Sequence, residues 1–130
     1  MNKVHIDEAT NTQLDYAAAV GQEMYNPEER QLDYIFTDKK TGKKILFCNG
    51  EVYHPTTDQT QCGELIDKFK ICCIYLGMMS GWEARLYSEM TNLKEINSGT
   101  GVFAQHESRL IAAVKAFLWS IYPGGMIPAI

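Results

Sequence analysis

From Ser108 to about Tyr122 the chain places Leu110, Ile111, Val114, Phe117, Leu118 and Ile121 at intervals of three, four and seven residues. That spacing predicts a helix with a broad apolar stripe, and such a stripe has to be covered by another layer of structure. Ser108 is suited to capping its start, and Pro123-Gly124-Gly125 forces its end. Beyond the stop, Met126-Ile-Pro-Ala-Ile130 is apolar where a terminus is usually polar, which predicts docking on the domain or on a second subunit.

A second helix is expected over Gln13 to Met24, started by Thr10 or Asn11. Leu14, Ala17, Ala18 and Gly21 share one stripe, and their small side chains predict close approach to another element. Between the two helices the pattern turns to strands. Leu32 to Thr37 and Ile45 to Cys48 flank a polar run with Gly42 at its turn, which predicts a hairpin. The lysines at its tip, Lys39, Lys40, Lys43 and Lys44, read as a solvated turn, with an anion site as the alternative. Asn49-Gly50 turns the chain again before Glu51-Val52-Tyr53.

Glu64-Leu-Ile-Asp-Lys68 predicts a short helical turn. Phe69 to Leu76 is apolar on both faces and predicts a central strand, or one buried by a partner subunit. After the turn Gly77 to Gly81, residues Trp82 to Glu89 alternate as a strand with one wet face. Met90 to Gly101 reads as a polar loop, a connector or a ligand lid, and Val102-Phe-Ala as one more short strand. The expected fold is α+β. An antiparallel sheet of about five to six strands packs in sandwich fashion with an N-terminal and a C-terminal helix, all in one domain spanning 1–130.

Hydrophobic residues at 45% and charged residues at 22% are ordinary globular usage. A net charge of −4 argues against general affinity for DNA, RNA or an anionic membrane. No run reaches the about 18 apolar residues of a membrane span, and the first residues lack a hydrophobic signal region, so a cytoplasmic protein is expected. Cys48, Cys62, Cys72 and Cys73 form no Cys-x-x-Cys pair and are expected as reduced, largely buried thiols.

Chemistry is sparse. His5, His54 and His106 lie in no nucleophile-base motif. His54, Asp58, Cys62 and His106 match no standard metal-ligand spacing, so neither metal nor cofactor is expected. The run Gln105-His-Glu-Ser-Arg-Leu110 is more informative. A helix start at Ser108 offers free N–H groups, Arg109 adds a charged donor and His106 a pH-dependent one; the alternative is simply a capped helix. Trp82 and Trp119 read first as packing residues, with a stacking surface for a base as the alternative. The polar stretch Tyr53 to Asp67 reads as a loop shaped by Pro55 and Gly63, with Asp58 satisfying backbone donors.

Three stretches together carry a resemblance: Leu14-Asp-Tyr-Ala-Ala-Ala-Val20, Tyr53-His-Pro-Thr-Thr-Asp58 followed by Gly63-Glu-Leu-Ile-Asp67, and Ser108-Arg-Leu-Ile-Ala-Ala-Val-Lys-Ala116. They resemble the bacteriophage NinX-like proteins, which belong with the phage ABA sandwich domain. Gln59 stands where relatives often have tryptophan, and Cys62-Gly63 where they often have Gly-Gly, which marks a distant member. The architecture is also similar to the first-type Thoeris anti-defence proteins of phages. That resemblance implies an oligomer that binds and sequesters a cyclic ADP-ribose isomer without cleaving it, and for some members cyclic oligonucleotides, in the cytoplasm of the bacterial host.

In that reading Arg109 and Ser108, with His106, take phosphate, and Asn92, Thr100 and Gly101 form a lid. Trp82 or Tyr53 stacks on adenine, and Thr57, Asp58 and Gln61 bind ribose or base edges. No residue is assigned a catalytic role. The rival expectations are an inhibitor or adaptor docking on a host protein, and a nucleotide-processing enzyme using His54, Asp58 and His106.

Overall fold

The computed structural model describes residues 2–26, 28, 32–86 and 103–130. The elements in order are β1 (Lys3–His5), α1 (Asn11–Tyr25), β2 (Leu32–Thr37), β3 (Lys44–Cys48), β4 (Glu51–Val52), α2 (Gln59–Phe69), β5 (Ile71–Gly77), β6 (Gly81–Leu86), β7 (Phe103–His106), α3 (Arg109–Ile121) and β8 (Met126–Pro128). A 3-10 turn at Ile6–Glu8 joins β1 to the approach of α1. The fold is α+β with antiparallel pairing. Among the described residues the eight strands divide into three sheets, ordered β1-β8, β2-β3-β4 and β5-β6-β7.

The apolar stripe of α3 does what its spacing demands. Val114, Phe117 and Leu118 are fully buried, and Phe117 meets Phe69 of α2 with ring centroids 4.4 Å apart. The helix lies against β5, β6 and β7 and against both other helices, so it joins the layers. Its contact with α1 rests on small residues. A Cβ on Gly21 would come within 3.1 Å of Ile121 and 3.3 Å of Phe117, so glycine lets the two helices approach.

The N-terminus of α1 is closed by a capping box. Gln13 N–H donates to Thr10 Oγ1 at 3.2 Å, and Thr10 N–H donates to Gln13 Oε1 at 2.9 Å. The apolar tail docks on its own domain. Val4 faces Ile127 across the β1–β8 pair, and Ile127 is fully buried.

Three expectations change. The helical turn foreseen around Glu64 to Lys68 is an eleven-residue helix that takes in Phe69. Cys62, Leu65 and Phe69 are its buried face, with Ile66 packed beside them, and Lys70 in the left-handed region ends it. β5 is an outer strand in its sheet, and β6 holds the central place. The face of β6 expected to be wet carries a buried Arg85, whose Nε donates to Glu83 Oε2 at 3.0 Å. The guanidinium also lies 4.9 Å over the Phe103 ring, so pairing and stacking offset the cost of burying it. The loop foreseen over Met90 to Gly101, and the strand residues Tyr87 and Glu89, lie outside the described residues.

Gly81 begins β6 with φ +70°, and a Cβ there would sit 2.5 Å from the carbonyl oxygen of His106. Gly50, at φ +79°, has nothing within 4 Å of that position. In chemical denaturation Gly50→Ala is therefore expected to cost about 1 kcal/mol of backbone strain, and Gly81→Ala about 3 kcal/mol because a backbone clash is added.

Candidate functional site

Asp15 lies one turn into α1, beside the apolar stripe, and it is buried. Both of its oxygens are used: Thr56 N–H donates to Oδ1 and the Thr56 hydroxyl to Oδ2, each at 2.9 Å. About two helical turns further on, Gln22 Nε2 donates to the Tyr53 hydroxyl. Two polar residues on one face of α1 thus hold both ends of the short loop Tyr53 to Thr56. Burial is the dominant influence on Asp15 and raises its pKa to about 7; the two Thr56 hydrogen bonds pull the other way.

The rest of the loop is tied locally. Gln61 accepts from His54 N–H at 2.7 Å and donates to the Val52 carbonyl at 2.6 Å, which commits its amide at both ends. Asp58 caps α2 by accepting from Gln61 N–H at 2.9 Å. The His54 ring meets the Thr57 hydroxyl through Nδ1 at 2.8 Å, and its Nε2 lies 3.8 Å from Asp58 Oδ2.

Above this loop is a cleft of about 420 Å³. Asn11, Thr12 and Asp15 of the first turns of α1 form one wall. Lys43, Lys44, Ile45 and Leu46 form another, and Val52, Tyr53, His54, Thr56 and Thr57 complete it. The volume falls in the range of small-molecule sites, about 300 to 1,000 Å³. Its chemistry is mixed: two ammonium groups at the rim, an aliphatic floor, and hydroxyl and imidazole groups from the loop. Lys44 Nζ donates to Thr37 Oγ1 at 3.3 Å, which places that charge.

The residues singled out in the sequence therefore fall into two groups. Tyr53 and Thr57 line the cleft; Asp58 and Gln61 shape its loop and spend their hydrogen bonds doing so. Tyr53 is buried with its hydroxyl engaged by Gln22. Trp82, His106, Ser108 and Arg109 assemble elsewhere, where β6 and β7 meet the start of α3. Trp82 and His106 face each other across the ladder, and Trp82 packs on Tyr75 with centroids 5.1 Å apart.

At that shoulder the Ser108 hydroxyl caps Ile111 N–H at 3.3 Å, while Ser108 N–H donates to His106 Nδ1 at 2.9 Å. Burial, then Lys115, lowers the His106 pKa, with Glu107 opposing, so the imidazole is a neutral acceptor at pH 7 rather than a cationic donor. Asn92, Thr100 and Gly101 lie outside the described residues.

Sequence reasoning missed Asp15 and Thr56 as site residues, and held Lys43 and Lys44 as an anion site only as the alternative to a solvated turn. A signal for the first was present: Asp15 and Gln22 repeat at i, i+7 among alanines that are themselves buried.

Two thiols, Cys62 and Cys73, are held in their neutral form. Burial first, then Cys73 and Asp15, push Cys62 up to about 12 against the pull of Arg109. Burial likewise raises Cys73. Among the described residues no three His, Cys, Asp or Glu side chains are grouped to hold a metal ion. Nor does any described helix have the length and apolar character needed to cross a membrane.

A family profile described as Bacteriophage P22, NinX matches residues 6–120. The chain belongs to this phage NinX family. A search of curated proteins gave no match. The matched span contains the whole cleft and the α3 shoulder. The three stretches that carry the NinX resemblance also meet in space: Asp15 bonds Thr56, and Cys62, lying between the two parts of the central stretch, approaches the Leu110 carbonyl at 3.6 Å.

Asp15 makes the stability of this NinX-family fold depend on pH. Its native pKa lies above the unfolded value of 3.8, so between about pH 4 and pH 7 the native state holds more protons than the unfolded chain. Stability then falls as pH rises through that window, by about 4 kcal/mol at most from this one group. In denaturant titrations across pH 4 to 8, Asp15→Asn is expected to flatten the profile relative to the native chain, with its largest relative gain at the alkaline end. Parallel profiles would show that Asp15 does not titrate in this way.

Proposed function

We propose that this phage protein is a nucleotide sponge: it binds a small anionic signal of the cyclic ADP-ribose class in the cytoplasm of the infected host and withholds it without cleaving it. The observation that carries the reading is the cleft, where Lys43 and Lys44 stand at the rim above a loop rich in hydroxyl and imidazole groups. Two ammonium groups match a pyrophosphate, and the start of α1 adds a positive dipole end on the same wall. Ribose hydroxyls have Thr57, His54 and Asn11 as partners, and the Ile45, Leu46 and Val52 surface suits the flat face of a base.

Binding without turnover is supported by the state of the reactive groups. Cys62 and Cys73 are kept as thiols, which are poor nucleophiles. The amide of Gln61 is fixed by backbone partners, and Asp58 caps a helix. Asp15, about half protonated at pH 7 and mostly neutral below it, opposes a bound phosphate less than a fully ionised carboxylate would. Within this reading phosphate binding moves from the α3 start to the lysine rim, and Arg109 acts near Cys62 and Cys73.

Isothermal titration with cyclic ADP-ribose isomers tests the proposal. Measurable heat is expected with the native chain, and about tenfold or greater weakening with Lys43→Glu/Lys44→Glu, because two attractive charges become repulsive. The ligand released by heat denaturation is expected to have its original mass. Absence of heat with every isomer would sink the sponge reading, and a chemically altered ligand would turn it towards an enzyme.

A further inference from the structure

β5 leaves one side of its hydrogen-bonding ladder open: among the described residues it pairs with β6 alone. Outer strands are normally guarded by charge, proline or a bulge, because an open ladder recruits another strand. β2, also an outer strand, is guarded in this way. It carries Asp33, a register shift between Leu32 and Tyr34, and a lysine-rich turn at its end.

β5 is built differently. From Ile71 to Ser80 there is no charged residue and no proline. Its one irregularity, between Tyr75 and Gly77, lies at the end of the strand and leaves Ile71 to Tyr75 in regular register. The apolar side chains along this end are open to solvent on both faces of the sheet. Ile74 is 38% exposed, Tyr75 54% and Leu76 41%, and the turn beyond them presents Met78 at 96% and Met79 at 100%. Cys72 and Cys73 are half-buried.

We infer that β5 is the contact strand of a two-fold dimer, pairing antiparallel with β5 of a second copy so that two three-stranded sheets become one of six strands. The occupant follows from the strand's own features. The open ladder requires another strand, and the uncharged stretch offers no salt-bridge partner to a charged one. Antiparallel self-pairing closes both open edges in a single contact, whereas a foreign strand leaves the second copy's edge unfilled. Ile74 is the midpoint of Ile71–Gly77, so a two-fold axis there sets Ile74 opposite its copy, Cys73 opposite Tyr75 and Cys72 opposite Leu76. Each pair is apolar. No charged residue lies within Ile71–Gly77, so no like charges are opposed along the strand. The arrangement covers the exposed end of β5 and uses none of the cleft-lining residues, so it stands or falls separately from ligand binding.

Sedimentation equilibrium over a micromolar concentration series, with charge exchange at the axis, tests this. The native chain is expected to be dimeric. Ile74→Lys alone and Ile74→Glu alone are each expected to weaken the dimer about tenfold or more, because like charges then face each other at the axis. Mixing the two variants is expected to restore a heterodimer, which a folding defect cannot do. Oxidation of Ile74→Cys in a Cys72→Ser/Cys73→Ser background is expected to link two copies. A monomeric native chain, a polydisperse aggregate, a dimer indifferent to both charges, or a Lys/Glu mixture that stays monomeric would each overturn the inference.

Discussion

The buried bond between Asp15 and Thr56 holds together parts of the chain that are far apart in sequence. It ties the first turns of α1 to the loop before α2, and every wall of the cleft is set with reference to that junction. Burying a carboxyl group costs several kcal/mol unless it is neutralised or fully bonded, and here both occur. Thr56 fills both oxygens, and the raised pKa moves the group towards its neutral form. The second tie, Gln22 to Tyr53, holds the loop at its other end. Without the pair, the loop would keep only its own short-range bonds and the single link to β3 from Tyr53 N–H to the Leu46 carbonyl at 2.8 Å.

The same junction explains why some of this fold was legible in the sequence and some was not. Helices α1 and α3 were readable because their burial is periodic: Leu14, Ala17, Ala18 and Gly21 face one way, and Val114, Phe117 and Leu118 another. The β2–β3 hairpin and the turn into β4 were readable because Gly42 and Asn49-Gly50, respectively, sit where positive φ is needed. Helix α2 was shortened because Gln59-Thr-Gln-Cys-Gly63 has weak helical preference, and its periodicity survives only in Cys62, Leu65 and Phe69. The place of β5 was misread because apolar side chains on both faces describe an uncovered edge as well as a central strand. Pattern records which side chains are apolar and leaves open what covers them.

The site was less legible than the fold, for a related reason. Asp58 and Gln61 attracted attention as polar residues in an unusual stretch, yet their side chains are consumed by the helix cap and the loop backbone. Asp15 looked like an ordinary helix residue, and Lys43 and Lys44 read first as a solvated turn, with an anion site as the alternative. They share a cleft because α1 packs on β3 while Asp15 bonds Thr56, a residue 41 positions away. The i, i+7 spacing of Asp15 and Gln22 marks a polar strip on α1, but nothing local names Thr56 and Tyr53 as its partners.

Cleft and open edge use different parts of the fold. The cleft is built by α1, β3 and the loop after β4, whereas β5 packs on β6, α2 and α3. The two halves meet through the helices, and α3 touches α1 on one side and the β5-β6-β7 sheet on the other. Small residues dominate that meeting: Gly21, Ala112, Ala113 and Ala116 are buried there or nearby. Close packing makes such a contact stiff, since interiors at this density resist even methyl-sized changes. A stiff helix layer allows one side of the fold to associate while the other keeps its shape, so burial of the β5 edge need not disturb the lysine rim.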